Sequence, residues 1–141
     1  TREGKASLYE GGHRVPGIVW APGRVTPGIC SELIVGMDLM PTSLSIAKVN
    51  QPKGVVLDGI DVGPALFDSK PLPVRPVIWG KGLVGALRVG HWKLVKNKLY
   101  HLGDDPTETK DLAAQYPQRL RQMVKKRQAI FTDAIEDSPY D

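Results

Sequence analysis

Apolar positions along this chain follow two periods and otherwise fall into short runs. From Pro117 to about Asp137, the residues Leu120, Met123, Val124, Phe131, Ala134 and Ile135 recur at spacings of three and four with Pro117 in the first turn, which predicts an amphipathic helix. Upstream, Val77–Trp79, Gly85–Val89, Trp92–Val95 and Lys98–Leu102 are short apolar runs parted by Gly and Asn, the pattern of an antiparallel meander. A second helix is predicted over Leu39–Ala47, with Asp38 as N-cap, Pro41 in the first turn and an end near Val49–Asn50. Gly17–Trp20 reads as a buried strand closed by the turn Ala21-Pro22-Gly23, although about the next thirty residues offer no obvious partner. Ile29–Val35 reads as an extended or irregular link. Residues 50–76, punctuated by Pro and Gly, predict a surface connector with at most one helical turn, Pro64–Phe67. Thr1–Pro16 shows neither period and reads as an ordered, Gly-rich loop.

The length, 141 residues, allows one modest core. With 41% hydrophobic and 24% charged residues and a net charge of +4, the chain is not a disordered polyelectrolyte. No apolar run is long enough to span a membrane, and the first residues lack the apolar region of a signal sequence. A lone cysteine, Cys30, excludes an internal disulfide and an all-cysteine zinc site. The basic residues Arg119, Arg121, Lys125, Lys126 and Arg127 sit on the C-terminal helix without the interleaved aromatics of a single-strand binder. They read as a solvated outer face, with Arg127 near the apolar stripe and expected to snorkel, and no nucleic-acid partner is expected.

Candidate chemistry is sparse. His13, His91 and His101 lack the paired spacing of a metal-binding helix and read as surface or satisfied core residues. Cys30, in P-G-I-C-S-E-L, has no neighbouring cation or helix start to activate it and reads as a buried, inert thiol. The acidic run Asp104-Asp105-Pro106-Thr107-Glu108 lacks the ligand alternation of a calcium loop and reads as turn formation or capping. The opening loop is more informative. Lys5, Glu10, His13 and Arg14 share it with Gly4, Gly11 and Gly12, so its backbone can turn tightly and present a cation to an anion.

The string G-K-A-S-L-Y-E-G-G-H-R-V-P-G-I-V-W-A-P-G, Gly4–Gly23, resembles the G-K-x-[ST]-x-[WY]-E-G-G-x-R-x-P segment of the formylglycine-dependent (type I) arylsulfatase family. Further matches follow in order: Asp38 with Pro41-Thr42 resembles D-x-x-P-T, and Leu57–Asp61 resembles L-D-G-x-D. Leu87-Arg88 to Trp92-Lys93-Leu94 resembles R-x-G-x-W-K-L, and Leu99–Glu108 resembles L-Y-x-L-x-x-D-P-x-E.

The resemblance implies the C-terminal portion of a sulfatase of the alkaline-phosphatase-like α/β superfamily. Residues 1–50 would close the catalytic α/β domain, 51–76 would connect, and 77–141 would form an α+β subdomain of about four antiparallel strands packed by a helix. Residues 1–50 would then lack their sheet, leaving apolar surface exposed around Ile18, Val19 and Trp20. The implied activity is sulfate-ester hydrolysis, with a formylglycine made from a cysteine in C-x-[PA]-S-R and a calcium ion as cofactors. Neither that motif nor the family's D-N-G ligands occur here, so both cofactors' residues are expected outside this chain, which alone is expected to be inactive. By the resemblance, Lys5 binds a sulfate oxygen. Glu10, Gly11, Gly12 and Arg14 support its loop, Arg14 as a clamp, and His13 stands at the substrate rim. The implied partners are a sulfated small molecule or carbohydrate and the remainder of the catalytic domain, in a secreted, periplasmic or lysosomal setting. Two alternatives stand beside this: a noncatalytic basic module for anionic or sulfated ligands, and a phosphoester or phosphonate hydrolase of the same superfamily.

Overall fold

The computed structural model describes residues 1–80 and 84–136, the side chains of 135 and 136 excepted. The chain forms two compact units, Thr1–Pro16 together with the residues from Val74 onward, and Gly17–Pro73. The opening loop, which the sequence groups with residues 17–50, thus lies in the unit of the meander.

In that first unit, β1 (Pro76–Trp79), β2 (Ala86–Val89), β3 (Trp92–Val95) and β4 (Lys98–His101) form one antiparallel sheet in the order β1-β2-β3-β4. The register pairs Leu87 with Leu94 and Leu94 with Leu99, so these three leucines share one face. Against them α4 (Pro117–Glu136) packs Met123, with Leu120, Val124 and Ile130 around it. The four strands and the long helix stand close to where the apolar pattern puts them; the expected helix end at Asp137 and the Ile135 side chain lie outside the described residues. Ala134, expected on the packed stripe, is exposed. Arg127 does not snorkel. It is 3% exposed, and its NH1 donates to the carbonyls of Gly85 (2.9 Å) and Lys96 (2.7 Å), binding the helix to two loop carbonyls at the sheet margin.

The opposite face of the sheet carries Trp79, Ala86, Arg88, Lys93, Val95 and Tyr100, since side chains alternate along each strand. Its cover comes from the opening loop, whose Leu8 and Tyr9 pack on Ala86, Val95 and Tyr100. The loop contains one helical turn, α1 (Glu10–His13). Burial raises the Tyr100 hydroxyl above the ordinary phenol range, helped by its bond with Tyr9.

In the second unit, a 3₁₀ turn (Gly36–Asp38) leads into α2 (Leu39–Ala47), and Gly63–Asp68 forms α3. Pro41 lies in the first turn as expected, and Lys48 ends α2 in the left-handed conformation (φ 54°). Asp38 does not cap α2 with its side chain. Its Oδ2 accepts from Val35 N–H (2.8 Å) and its Oδ1 from Ile60 N–H (3.0 Å), while Thr42 Oγ1 accepts from Val62 N–H (3.0 Å). The D-x-x-P-T and L-D-G-x-D segments are thereby pinned together. Gly59 passes so close to Met37 that a Cβ would lie 2.0 Å from its carbonyl oxygen. Gly17–Trp20 forms no strand, because a strand needs a neighbour for its N–H and C=O groups and none of the described residues pairs with it. Ile18 is 92% and Trp20 85% exposed, so the expected apolar surface is present. Cys30 is exposed rather than buried, in an irregular segment.

Candidate functional site

Lys5 stands at the tip of the opening loop. Ser7 N–H donates to Gly4 O (3.1 Å), closing a turn whose central residues are Lys5 and Ala6, and Ala6 takes φ 73°, a value that suits glycine. The Lys5 side chain is exposed, with no hydrogen bond or ion pair among the described residues. A second bond, Gly11 N–H to Arg2 O (3.0 Å), closes the base of the loop. This closure explains the paired glycines: a Cβ on Gly11 would lie 2.1 Å from Glu3 O, and one on Gly12 2.0 Å from Ser7 O.

Beneath the loop is a buried charge cluster that the sequence reading did not identify. Lys93, on the interior face of β3, is fully buried. Its Nζ lies 2.8 Å from Glu10 Oε1 and 2.7 Å from Glu108 Oε1, the second contact being ionic rather than a well-directed hydrogen bond. Glu108 Oε2 accepts from Glu10 N–H (2.6 Å), Glu108 O accepts from Arg2 NH1 (2.7 Å), and Arg88 NH1 stands 3.6 Å from Glu10 Oε2. Two carboxylates therefore share one ammonium, with a guanidinium at the side. Burial alone would raise the Glu10 carboxyl, but the Lys93 hydrogen bond and the charges of Lys93, Arg88 and His13 hold it below its ordinary value. Burial lowers Arg88, and Glu10 opposes that shift.

Glu108 reaches this position through the acidic turn. Asp105 accepts from the N–H groups of Thr109 (2.7 Å) and Lys110 (2.8 Å), which keeps its carboxyl below the ordinary range, and Glu108 itself adopts φ 55°. The D-P-T-E run is thus a turn, as its composition suggests, but one that delivers a buried carboxylate.

His13 stacks on Trp79, with ring centroids 4.1 Å apart and planes inclined by 14°. Its Nε2 lies 3.1 Å from Lys93 Nζ and 3.8 Å from Glu10 Oε1. Burial and the Lys93 charge push its pKa down, against smaller opposing effects from Glu10, the Leu8 backbone and Glu108. Arg14 is exposed, and its side chain makes no hydrogen bond or ion pair among the described residues; Glu10 pairs with Lys93 and Arg88 instead. His101, opposite Trp92 in the sheet, lies 5.6 Å ring to ring from His91 in the β2–β3 turn, and its Nδ1 meets Asp104 Oδ2 at 2.6 Å. The period-2 alternation offered one signal for the missed cluster, because it puts Arg88 and Lys93 on a single face.

Among the described residues no group of three or more His, Cys, Asp or Glu side chains converges to hold a metal ion. This chain's donors do not fit the calcium site of the resemblance, and Cys30 is followed by Ser31-Glu32-Leu33 rather than by the C-x-[PA]-S-R pattern. No helix among the described residues is long and apolar enough to cross a membrane.

No protein-family model matches the chain. It is 33% identical over 93 residues to an arylsulfatase of Hemicentrotus pulcherrimus, an alignment covering 65% of this chain and 17% of that one. It is 39% identical over 92 residues to the N-acetylgalactosamine-6-sulfatase of Canis lupus familiaris, covering 64% of this chain and 17% of the relative. To human arylsulfatase A it is 40% identical over 98 residues, covering 65% and 19%. The alignments thus span about a sixth of these relatives' length. A solved structure from work on glycosaminoglycan metabolism by Bacteroides thetaiotaomicron superposes with a TM-score of 0.81 at 23% identity, over 93% of this chain and 32% of that one. Another, described as Ps i-CgsB, gives 0.77 at 28% identity over 87% and 30%. The mixed α/β fold and the likeness in sequence agree, and this chain is a homologue of the sulfatases.

Proposed function

We propose that the chain is the C-terminal part of an enzyme that hydrolyses sulfate esters, and that its contribution to the chemistry is Lys5. The observation that carries this reading is the exposed Lys5 ammonium, without a hydrogen bond or ion pair among the described residues, at the tip of a loop whose base is closed by Gly11 and fixed by Glu10 on Lys93. Sulfuryl transfer, like phosphoryl transfer, demands positioning and neutralisation of equatorial oxygens more than covalent chemistry from the protein. A lysine held without internal ion pairs supplies that charge to a sulfate oxygen with little reorganisation.

The sulfatases' formylglycine and calcium would provide the nucleophile and the polarisation of the sulfate; this chain's residues hold neither, so its own part is to bind and orient the anion. The exposed Ile18 and Trp20 suit the role of a surface covered by the remainder of the catalytic domain. A sulfated carbohydrate or aryl sulfate fits as substrate. Burial of Arg127 removes one cation from the helix face on which a basic binding module would depend.

The test is hydrolysis of 4-nitrophenyl sulfate. The purified 141-residue chain is expected to show no turnover. In the parent protein read from the same frame, Lys5→Ala is expected to lower kcat/KM by about 10²–10³-fold, the cost of removing one preorganised charge stabiliser. Turnover by the chain alone, or a parent enzyme indifferent to Lys5→Ala, overturns the reading.

A further inference from the structure

The contact between His13 and Lys93 does more than fill space under the Lys5 loop. The His13 Nε2 faces the Lys93 ammonium at 3.1 Å. An ammonium has only donors, so Nε2 must be an unprotonated acceptor in this arrangement. We infer that neutral His13 is a positioning residue for Lys5: it accepts a hydrogen bond from Lys93 and clamps α1 between that lysine and Trp79, and its protonation releases the loop that carries Lys5. The role of the loop rests on the proposed function; the release itself does not.

The groups facing His13 decide the sign. Lys93 of β3 repels an imidazolium, while Glu10 of α1, 3.8 Å away, and Glu108 after β4 attract it. Trp79 of β1 presents an uncharged ring face, and Arg88 of β2 sits on the far oxygen of Glu10. Lys93, at 2.8 and 2.7 Å from the two carboxylates, and Arg88, at 3.6 Å from Glu10, already balance both negative charges, so an added proton on His13 meets a cluster with no net negative charge. The depressed His13 pKa agrees with that balance. Protonated Nε2 can keep its place only by displacing Lys93 from Glu10, and either movement frees the same strand-to-loop contact. Because α1 follows Lys5 by only a few residues and Gly11 closes the loop base, the loop loses its fixed end when α1 lifts.

The experiment uses the full chain with a nitroxide on Lys5→Cys, in a Cys30→Ser background, read by electron paramagnetic resonance as the pH is lowered from 7.5 to 5. A mobile spectral component is expected to grow at least threefold, with a midpoint below 6.5 that coincides with the NMR titration of the His13 ring, while the amides of Leu94 and Leu99 keep their hydrogen-exchange protection. His13→Gln, which retains an acceptor and cannot titrate, is expected to hold the loop immobile across the whole range. A line shape that ignores pH, a His13 midpoint above 6.5, or the same response in His13→Gln overturns the inference. Should His13→Gln not fold, the coincidence of ring titration and line shape in the otherwise native chain decides alone. None of these readings involves sulfate, so a failed hydrolysis test leaves this one standing, and the reverse also holds.

Discussion

The ammonium of Lys93 meets the carboxylate of Glu10 at 2.8 Å across a sequence separation of 83 residues, deep between the sheet and the opening loop. The pair joins two segments that are unrelated in local sequence, W-K-L on β3 and E-G-G-H in α1, and Glu108 joins a third. The fixed end of the Lys5 loop is therefore an electrostatic contact, made in a place that water does not reach.

Removing Lys93 leaves two carboxylates buried with no counter-ion between them. Lys93→Met, similar in volume, is expected to destabilise the unit built from Thr1–Pro16 and the meander by about 3–5 kcal/mol, the range for breaking a buried ion pair from one side. Urea unfolding followed by Trp79 and Trp92 fluorescence measures it. Adding Glu10→Gln and Glu108→Gln should recover part of the loss by removing the stranded charges; a triple variant no more stable than Lys93→Met would show that the charges are not the cause.

Acid should weaken the same unit in two steps. His13 is held below its ordinary value of 6.5, so below that pH the unfolded chain takes up a proton that the folded chain refuses, and stability declines as pH falls through the folded His13 value. Glu10 is held below 4.5, so its contribution is fully present above 4.5 and is lost as pH falls through its folded value. Urea midpoints at pH 7.5, 5.5 and 4 test the order. His13→Gln should abolish the first decline and leave the second.

Much of the fold is legible in the sequence because it follows local rules. The 3.6 period marks α4, the short apolar runs mark β1 to β4, and Pro41 marks the start of α2, each set by residues close together along the chain. What is not legible depends on what lies opposite. Arg127 looks like a solvated cation until Gly85 and Lys96 turn their carbonyls toward it. Gly17–Trp20 looks like a strand, yet pairing is a property of two segments, and one is missing among the described residues. Glu10 was readable as a loop support, but its partner was not, since no spacing rule connects residue 10 to residue 93. Arg14 carries as much charge and makes no such bond among the described residues.

In the second unit, Thr42→Val keeps the shape of the side chain and removes the oxygen that accepts from Val62 N–H. The amide is left buried and unpaired, at an expected cost of about 1–3 kcal/mol. Hydrogen exchange at Val62 should accelerate before that at Leu44. Equal acceleration at both sites would mean that α2 and the segment after Gly59 open as one body.

Lys5 and Ala6 separate function from stability within one turn. Lys5 is exposed and has no partner among the described residues, so Lys5→Ala should change stability by less than about 0.5 kcal/mol. Ala6 holds φ 73°, a conformation that costs an L-residue roughly 1–2 kcal/mol relative to glycine, so Ala6→Gly should be neutral or stabilising even though glycine loosens the unfolded chain. Thermal unfolding of both variants beside Gly12→Ala completes the comparison. Gly12→Ala forces a methyl to within 2.0 Å of Ser7 O and should lower stability by about 1–3 kcal/mol through displacement of the loop. A Lys5→Ala loss as large as that of Gly12→Ala would make Lys5 a structural residue and remove the ground for its role as an anion ligand.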